Sequence, residues 1–296
     1  MVRLFLPPAW HSEAERDKER GRWDRLWAAE LPEGIVMEDL SETGDARAVG
    51  VMVAAPALPE VTDRLAAHEG PHLLDGLADA AESSGGVPDE AALGRANAGE
   101  GVDLVVCWVG YGDAERSPEA FAKVRGSLFA AFQDLVGGNR LRRITFEAPS
   151  EKAIEWFDGY GFERLREEDG AVVLSIAKEE AIASDDLANQ RFFSYEPPIL
   201  GFSSAQRAIL RLARQGYTDQ EIADRLGRTT DSVKKRWGGI YARFAHAFPG
   251  RLPVGREGSR GAEKRRTLLA YLKDRPEELR PYGGEEEGRG KREEEF

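Results

Sequence analysis

FSSAQRAILRLARQGYTDQEIADRLGRTTDSVKKRWGGIYARF, residues 202–244, is the stretch on which the reading of this chain turns. It predicts three helices. Ser203 followed by Gln206, and Thr218 followed by Glu221, are capping-box pairs, in which a hydroxyl accepts a first-turn N–H and the later side chain reaches back to the cap. Thr229 is a third N-cap residue. Gly216 and Gly227 stand where the first and second helices should stop. Ile209, Leu210, Leu212 and Ala213, then Ile222, Ala223 and Leu226, then Val233, Trp237, Ile240 and Phe244 recur at helical spacing. They predict a small three-helix core whose second and third helices join through a few residues around Gly227.

With Val233, Trp237 and Ile240 turned inward, Thr230, Asp231, Lys234, Lys235 and Gly238 face outward, and Arg236 lies on the flank. A helix whose first half carries donors is what the major groove of DNA accepts. Residues 201–250 hold nine Lys/Arg against four Asp/Glu, an electrostatic footprint for phosphates. Thr230, Lys234 and Lys235 are the candidates for base-edge contacts. Arg228, Thr229 and Arg236 are the candidates for phosphates, which position a helix without specifying sequence. Asp231 would discriminate, by accepting from cytosine or repelling a misplaced phosphate.

This stretch resembles the LuxR-type (GerE-like) helix-turn-helix of bacterial transcription regulators. The matching residues are ARQGYTDQEIADRL and TTDSVKKRWGGIYARF, about 45 residues of the chain. The departures are Ala205-Gln206 where the family usually has Arg-Glu, Arg228 where it has a small apolar residue, and Trp237 where it has a smaller aliphatic. The resemblance implies sequence-specific recognition of double-stranded DNA, with RNA polymerase and a homodimer partner among the contacts such regulators make.

Composition agrees with a two-domain chain outside the membrane class. The 296 residues are 41% hydrophobic and 32% charged, and no run approaches the ~18 apolar residues of a spanning helix. The start is too quickly acidic for a signal peptide, so a cytoplasmic protein is expected. One cysteine, Cys107, excludes an internal disulfide, and its setting in LVVCWVGY is that of a strand residue. Four histidines, at 11, 68, 72 and 246, supply no metal-ligand motif. The net charge of −12 is uneven: residues 1–200 hold 20 Lys/Arg and 38 Asp/Glu, the remainder 21 and 15. An acidic domain followed by a basic one is expected when only the second touches nucleic acid.

The first 200 residues read as α/β. Strands are expected at 2–6, 34–39 and 46–55, and helices at 12–30 and across 59–83 with a break at Gly70-Pro71. Residues 84–101, rich in Gly, Ala and Asp, read as a mobile loop within the domain. DLVVCWVGY, residues 103–111, is the strongest strand, apolar enough for burial on both faces. Ser117-Pro118-Glu119 starts a helix that stops at Gly137-Gly138. A strand at 141–147, a helix at 150–159 and a strand at 171–178 complete a β-α-β-α-β run.

The stretch RLRRITFEAPSEKAIEWFDGYGFERL within this run resembles the C-terminal half of the GNAT acyltransferase fold, over about 75 residues. The resemblance implies a mixed sheet. In active GNAT enzymes a Gln/Arg-x-x-Gly-x-Gly/Ala loop after the central strand binds the pyrophosphate of coenzyme A. Here that stretch is GDAERSPEAFAKVRGSL, with Asp113, Glu115 and Glu119 where an anion would sit. The tyrosine that often acts as general acid falls on Phe157, which has no proton to give. These departures lead to the expectation that the chain is not an enzyme and needs no cofactor.

The fold class expected is thus an α/β N-terminal domain with a GNAT-like mixed sheet and an all-α C-terminal helix-turn-helix domain. Its parts are a regulatory domain at 1–180 that senses an unidentified small-molecule ligand or dimerises, and a linker at 181–200. A DNA-binding domain at 201–275 carries an extra helix near 262–274, and a disordered charged tail takes 276–296. The rival readings are a GNAT-type N-acyltransferase fused to a DNA-binding module, and a sigma-factor-like polymerase-binding protein.

Overall fold

The computed structural model describes residues 13–28, 33–40, 46–67, 73–82, 88–111, 117–148, 154, 161–168, 171–253 and 260–283. The chain divides into two compact units, Met1–Asp89 with Glu100–Ser194, and Glu90–Gly99 with Tyr195–Phe296.

The first unit is mixed α/β. Its helices are α1 (Glu13–Ala28), α2 (Pro59–Ala67), α3 (Leu73–Glu82) and, after a ten-residue excursion into the second unit as α4 (Glu90–Ala98), α5 (Pro118–Val136). Its strands are β1 (Glu33–Leu40), β2 (Ala46–Ala57), β3 (Val102–Tyr111), β4 (Leu141–Ala148), β5 (Glu163–Glu168) and β6 (Ala171–Ala177). Two short helices, α6 (Lys178–Ala183) and α7 (Leu187–Phe193), close it. Among the described residues the sheet has six strands in the order β1-β2-β3-β4-β6-β5. Of these neighbours β3 and β4 run parallel; the others are antiparallel. The mixed sheet expected from sequence is therefore present. The strand expected at 2–6 and the helix expected at 150–159 lie outside the described residues, apart from the buried Ile154.

Burial explains each element. β3 buries Val102, Leu104, Val105 and Val106 in succession, as a central strand covered on both faces must. α5 starts where Ser117 accepts the Ala120 N–H at 3.2 Å. It buries Leu128, Phe132 and Val136, one face at four-residue spacing. Gly50 of β2 admits this helix, because a Cβ there would stand 3.1 Å from Leu128 Cδ2. Phe192 and Phe193 are buried, the former edge-on to Phe129 at 5.1 Å, so these aromatics are packing residues. β5, ERLREE, was not expected from the sequence. A strand of charged residues is an edge strand, where its side chains meet water and discourage further pairing.

The amino ends of the parallel pair are tied by charge. Asp103, fully buried, accepts from Arg142 Nε at 2.8 Å and Nη2 at 2.6 Å, and from the Thr62 hydroxyl. Arg142 and Arg143 also donate to Asp63. The Asp103 hydrogen bond and burial dominate at Arg142, and the net effect holds its guanidinium more firmly protonated than usual.

The described elements of the second unit are helical: α4, α8 (Ser204–Arg214), α9 (Asp219–Leu226), α10 (Thr230–Ala247), α11 (Arg260–Asp274) and a 3-10 turn at Pro276–Leu279. Two expectations are corrected by this unit. Residues 90–98 are a helix, not a loop. Their small residues serve close packing: Gly94 O accepts the Gly283 N–H at 2.8 Å, and a Cβ on Gly94 would lie 2.5 Å from Gly283 O. Asn97, buried, donates to Pro281 O at 2.9 Å. Residues 276–283 are folded, not part of a charged tail. Glu278 is buried, and its carboxylate accepts the N–H groups of Ile199 and Leu200 at 3.0 and 2.9 Å and the Tyr271 hydroxyl at 2.8 Å. A carboxylate satisfied three times is stable inside, where an unpaired one would not be. Residues 284–296 lie outside the described residues.

Candidate functional site

The chain from α8 to α10 is assembled from caps. Ser203 and Gln206 exchange bonds at 3.1 and 3.4 Å, and Thr218 and Glu221 at 3.3 and 2.7 Å. Backbone and side-chain hydrogen bonds from Thr218 hold the exposed Glu221 carboxyl below its ordinary value. α9 ends on Gly227 at φ 61°, ψ 38°, and the Arg228 N–H reaches back to Ala223 O at 2.9 Å. This left-handed ending suits glycine. Thr229 then caps α10 by accepting the Ser232 N–H at 3.2 Å. Ile209, Leu210, Ala213, Ile222, Ala223, Val233, Trp237, Ile240 and Phe244 share one core with Leu268 and Leu272 of α11.

Trp237 has a local reason. Its indole N–H donates to Asp219 at 3.1 Å, and Arg265 donates to the same carboxylate at 2.8 Å and to Tyr217 O at 2.6 Å. The Arg265 guanidinium stands 5.0 Å over the Trp237 ring. Arg265 is thus a clip between α11 and α9. Arg207, 3% exposed, is the charged residue that sequence reasoning passed over. It donates to Phe202 O at 2.5 Å and to Glu90 at 2.7 Å, and Ser204 donates to Glu90 at 2.5 Å. Burial pushes the Glu90 carboxyl up, but the bonds from Ser204 and Arg207 outweigh it and leave it below its ordinary value. A salt bridge between residues 117 positions apart leaves no local signal in sequence.

The seven DNA-contact candidates fall on one stretch of this unit. Arg228, Thr229, Asp231, Lys234 and Lys235 are exposed, and Thr230 and Arg236 are half-buried. Two hydroxyls are already engaged: Thr229 caps the helix, and Thr230 donates to Gln220 Oε1 at 2.7 Å, tying the first turn of α10 to α9. Gly238 is exposed on the same face, and a Cβ there would meet nothing within 4 Å.

The first unit holds a second candidate site. β3 and β4 pair from Val102 and Leu141 only as far as Val106 and Phe146. β3 continues to Tyr111 beside β2, and β4 to Ala148 beside β6. Beyond Val106, the side of β3 that faces β4 has no strand partner among the described residues. The parallel seam therefore opens at its carboxyl ends, the position where open α/β sheets take ligands. α5 is the next described element after β3, and its start carries the positive end of the helix. Glu119 is an exposed acid in its first turn, and Lys123 an exposed cation one turn on. Glu147, on β4 one residue beyond the last pair with β3, accepts the Leu73 N–H at 2.6 Å. Burial pushes the Cys107 thiol up to about 12, so it is a packing residue and not a nucleophile. No group of metal-binding residues occurs among the described residues, and none of their helices is long and apolar enough to cross a membrane.

No protein-family model and no curated protein matches this chain. Among solved structures it is similar to the KacTA–DNA complex, at 11% identity over 60% of this chain and 87% of that one, with a TM-score of 0.28. It is similar to AtaTR bound with AcCoA, at 10% identity over 57% and 83%, TM-score 0.31. A tyrosine-to-phenylalanine mutant of KacT matches at 16% over 59% and 86%, TM-score 0.29. The expectation that the chain is not an enzyme is corrected by these likenesses. One of these structures carries AcCoA; of the features behind that expectation, Phe157 and the acids at 113 and 115 lie outside the described residues, and Glu119 is exposed in the first turn of α5. At these TM-scores the sheet must be interpreted from its own strand order.

Proposed function

We propose that the chain is a GNAT-type acyltransferase unit joined to a helix-turn-helix unit that binds double-stranded DNA. The observation that carries the first half is the opening of the β3–β4 seam at its carboxyl ends. Such an opening exposes unpaired strand edge to a ligand that is itself a chain of amides. The pantetheine arm of a coenzyme A thioester has that chemistry and can add as a short strand. The positive end of α5 then lies toward the phosphates, with Glu119 opposing and Lys123 favouring them. Isothermal titration with acetyl-coenzyme A tests this reading. Saturable heat at micromolar concentration is expected, with amide shifts confined to β3, β4 and the start of α5. No heat at millimolar ligand overturns it.

The second half rests on a separate observation, the capped α9–α10 pair with Lys234 and Lys235 exposed on α10. A three-residue turn and a recognition helix of this kind match the requirements of major-groove docking. In this reading Lys234, Lys235 and Thr230 stand nearest base edges, and Asp231 selects against wrong partners. Arg228, Thr229 and Arg236 take phosphates. Selection of bound fragments from a random duplex pool tests it: a recurring sequence is expected, and an unenriched pool overturns specific recognition.

A further inference from the structure

A hollow of about 150 Å3 lies between α8 and α10. Its apolar walls are Ala205, Ala208 and Ile209 of α8, Leu226 of α9 and Val233 of α10. The two alanines share one face of α8 and leave room that longer side chains would fill. Arg228, Ser232 and Arg236 complete the lining, and no carboxylate is among its residues. Three other arginines of this unit are treated differently. Arg207 holds Glu90, Arg265 holds Asp219 and Arg275 holds Glu277. Among the described residues no carboxylate pairs with Arg228 or Arg236. Ser232 lies in the first turn of α10, whose positive end favours an anion. Asp231 of the same turn is exposed and outside the lining.

We propose that this hollow binds a small aromatic carboxylate. A cavity of roughly this size with aliphatic walls accommodates a benzene ring, so the ring fills it and only a compact anion fits beside the ring. A carboxylate is such a group, and the planar donors of a guanidinium match its two oxygens. The Ser232 hydroxyl supplies one more donor. A phosphate alone would leave the apolar walls uncovered, and a neutral ring would leave the guanidinium groups without a counter-charge. Occupation engages Arg228 and Arg236 and withholds them from DNA phosphates. The binding itself is independent of the DNA reading; only this last consequence rests on it.

The test uses the full chain with isotope-labelled Ile, Leu and Val methyl groups, and benzoate as the probe. Benzyl alcohol, inorganic phosphate and sodium chloride of matched ionic strength are the comparators. Millimolar benzoate is expected to move the Ile209, Leu226 and Val233 methyl signals saturably, while those of Leu268 and Leu272 stay. Benzyl alcohol should bind about ten-fold more weakly, for want of charge-assisted hydrogen bonds. Benzoate should release random duplex DNA beyond the effect of matched sodium chloride. Ala205→Leu fills the hollow and keeps both arginines, so it should abolish the methyl shifts and the release of DNA. Unmoved methyl signals in the wild type overturn the proposal, and so do shifts that persist in Ala205→Leu. Equal binding of benzyl alcohol overturns the role of the arginines, and equal shifts with phosphate overturn the aromatic class. Where Ala205→Leu fails to fold, Arg236→Gln replaces it: benzoate should bind about ten-fold more weakly, and unchanged binding overturns the site. Methyl shifts without release of DNA keep the binding and overturn the withholding of the arginines. A chain that binds no duplex at all defeats the DNA reading alone, because the methyl signals still judge the hollow.

Discussion

The open seam of β3 and β4 and the closed packing of α8, α9 and α10 present function in opposite ways. In the seam, backbone pairing stops after Val106 and Phe146 while both strands run on. The edge left between them is where the proposed ligand would complete the sheet. In the helical unit the helix starts are finished by Ser203, Thr218 and Thr229, and α9 is finished by Gly227. With those ends capped, the proposed DNA recognition would use side chains on the outer face of α10. A site made of unfinished backbone selects a ligand that can form strand-like bonds. A site made of finished backbone selects by projecting charge.

The strongest break of this comparison is Trp237→Ala. Loss of a buried aromatic costs about 3–5 kcal/mol. Hydrogen exchange should accelerate across α9, α10 and α11, because Asp219 and Arg265 lose their common neighbour, while the protection of β3 and β4 is unchanged. Loss of protection in both units together would mean that their cores are not separately built.

Next comes the double variant Lys234→Ala/Lys235→Ala. Specific DNA affinity should fall by roughly 1–3 kcal/mol per good base interaction removed, with thermal unfolding unchanged and acetyl-coenzyme A binding intact. A folded variant with full affinity would place the reading face elsewhere on the unit.

Glu90→Ala takes a carboxylate away from the buried Arg207, which keeps its bond to Phe202 O. A fully buried pair broken this way costs about 3–5 kcal/mol. Glu90 is 40% exposed, so about 1–2 kcal/mol is expected, with faster exchange in α4. The same link sets a pH dependence. The Glu90 carboxyl lies below its ordinary value when folded. Its stabilising effect is therefore full above the unfolded value of about 4.3, and is lost as pH falls through the depressed folded value. Acid titration followed by α4 amide signals should show this loss in the wild type and not in Glu90→Gln.

The smallest effect is expected from salt. Residues 195–283 supplied with a peptide of residues 90–99, which restores α4 to its unit, should bind nonspecific DNA more tightly than the full chain at low ionic strength, because the other acidic residues before 195 are absent. The difference should shrink as salt rises. Equal affinity throughout would mean that the acidic residues exert no field on the DNA-binding face.

Much of this molecule was legible because its signals are local. Ser203 with Gln206, Thr218 with Glu221, and Gly227 each act within one helical turn, so their spacing alone marks the ends of α8, α9 and α10. The helix from Pro118 to Val136 was likewise announced by Ser117 and Gly137, and the valines of β3 by their unbroken run. What sequence could not supply were the bonds that span it. Residues 84–101 read as a loop because their glycines, at 85, 86, 94, 99 and 101, argue against a helix. Only the approach of Gly283, whose carbonyl would collide with a Cβ at 94, gives that glycine its purpose. The charged ERLREE became a strand because β6 offered it an edge.

The sequence by itself determined where helices begin and end in residues 203–247, which of their faces is apolar, and which half of the chain is basic. Those properties depend on side-chain chemistry within a few residues. Tertiary structure alone decided that α4 belongs with the second unit, that Glu278 is a buried latch on Ile199 and Leu200, and that β3 and β4 part after Val106 and Phe146. Each of these joins or separates residues tens of positions apart. Their free energy depends on which backbone groups meet after folding, and no local pattern encodes that.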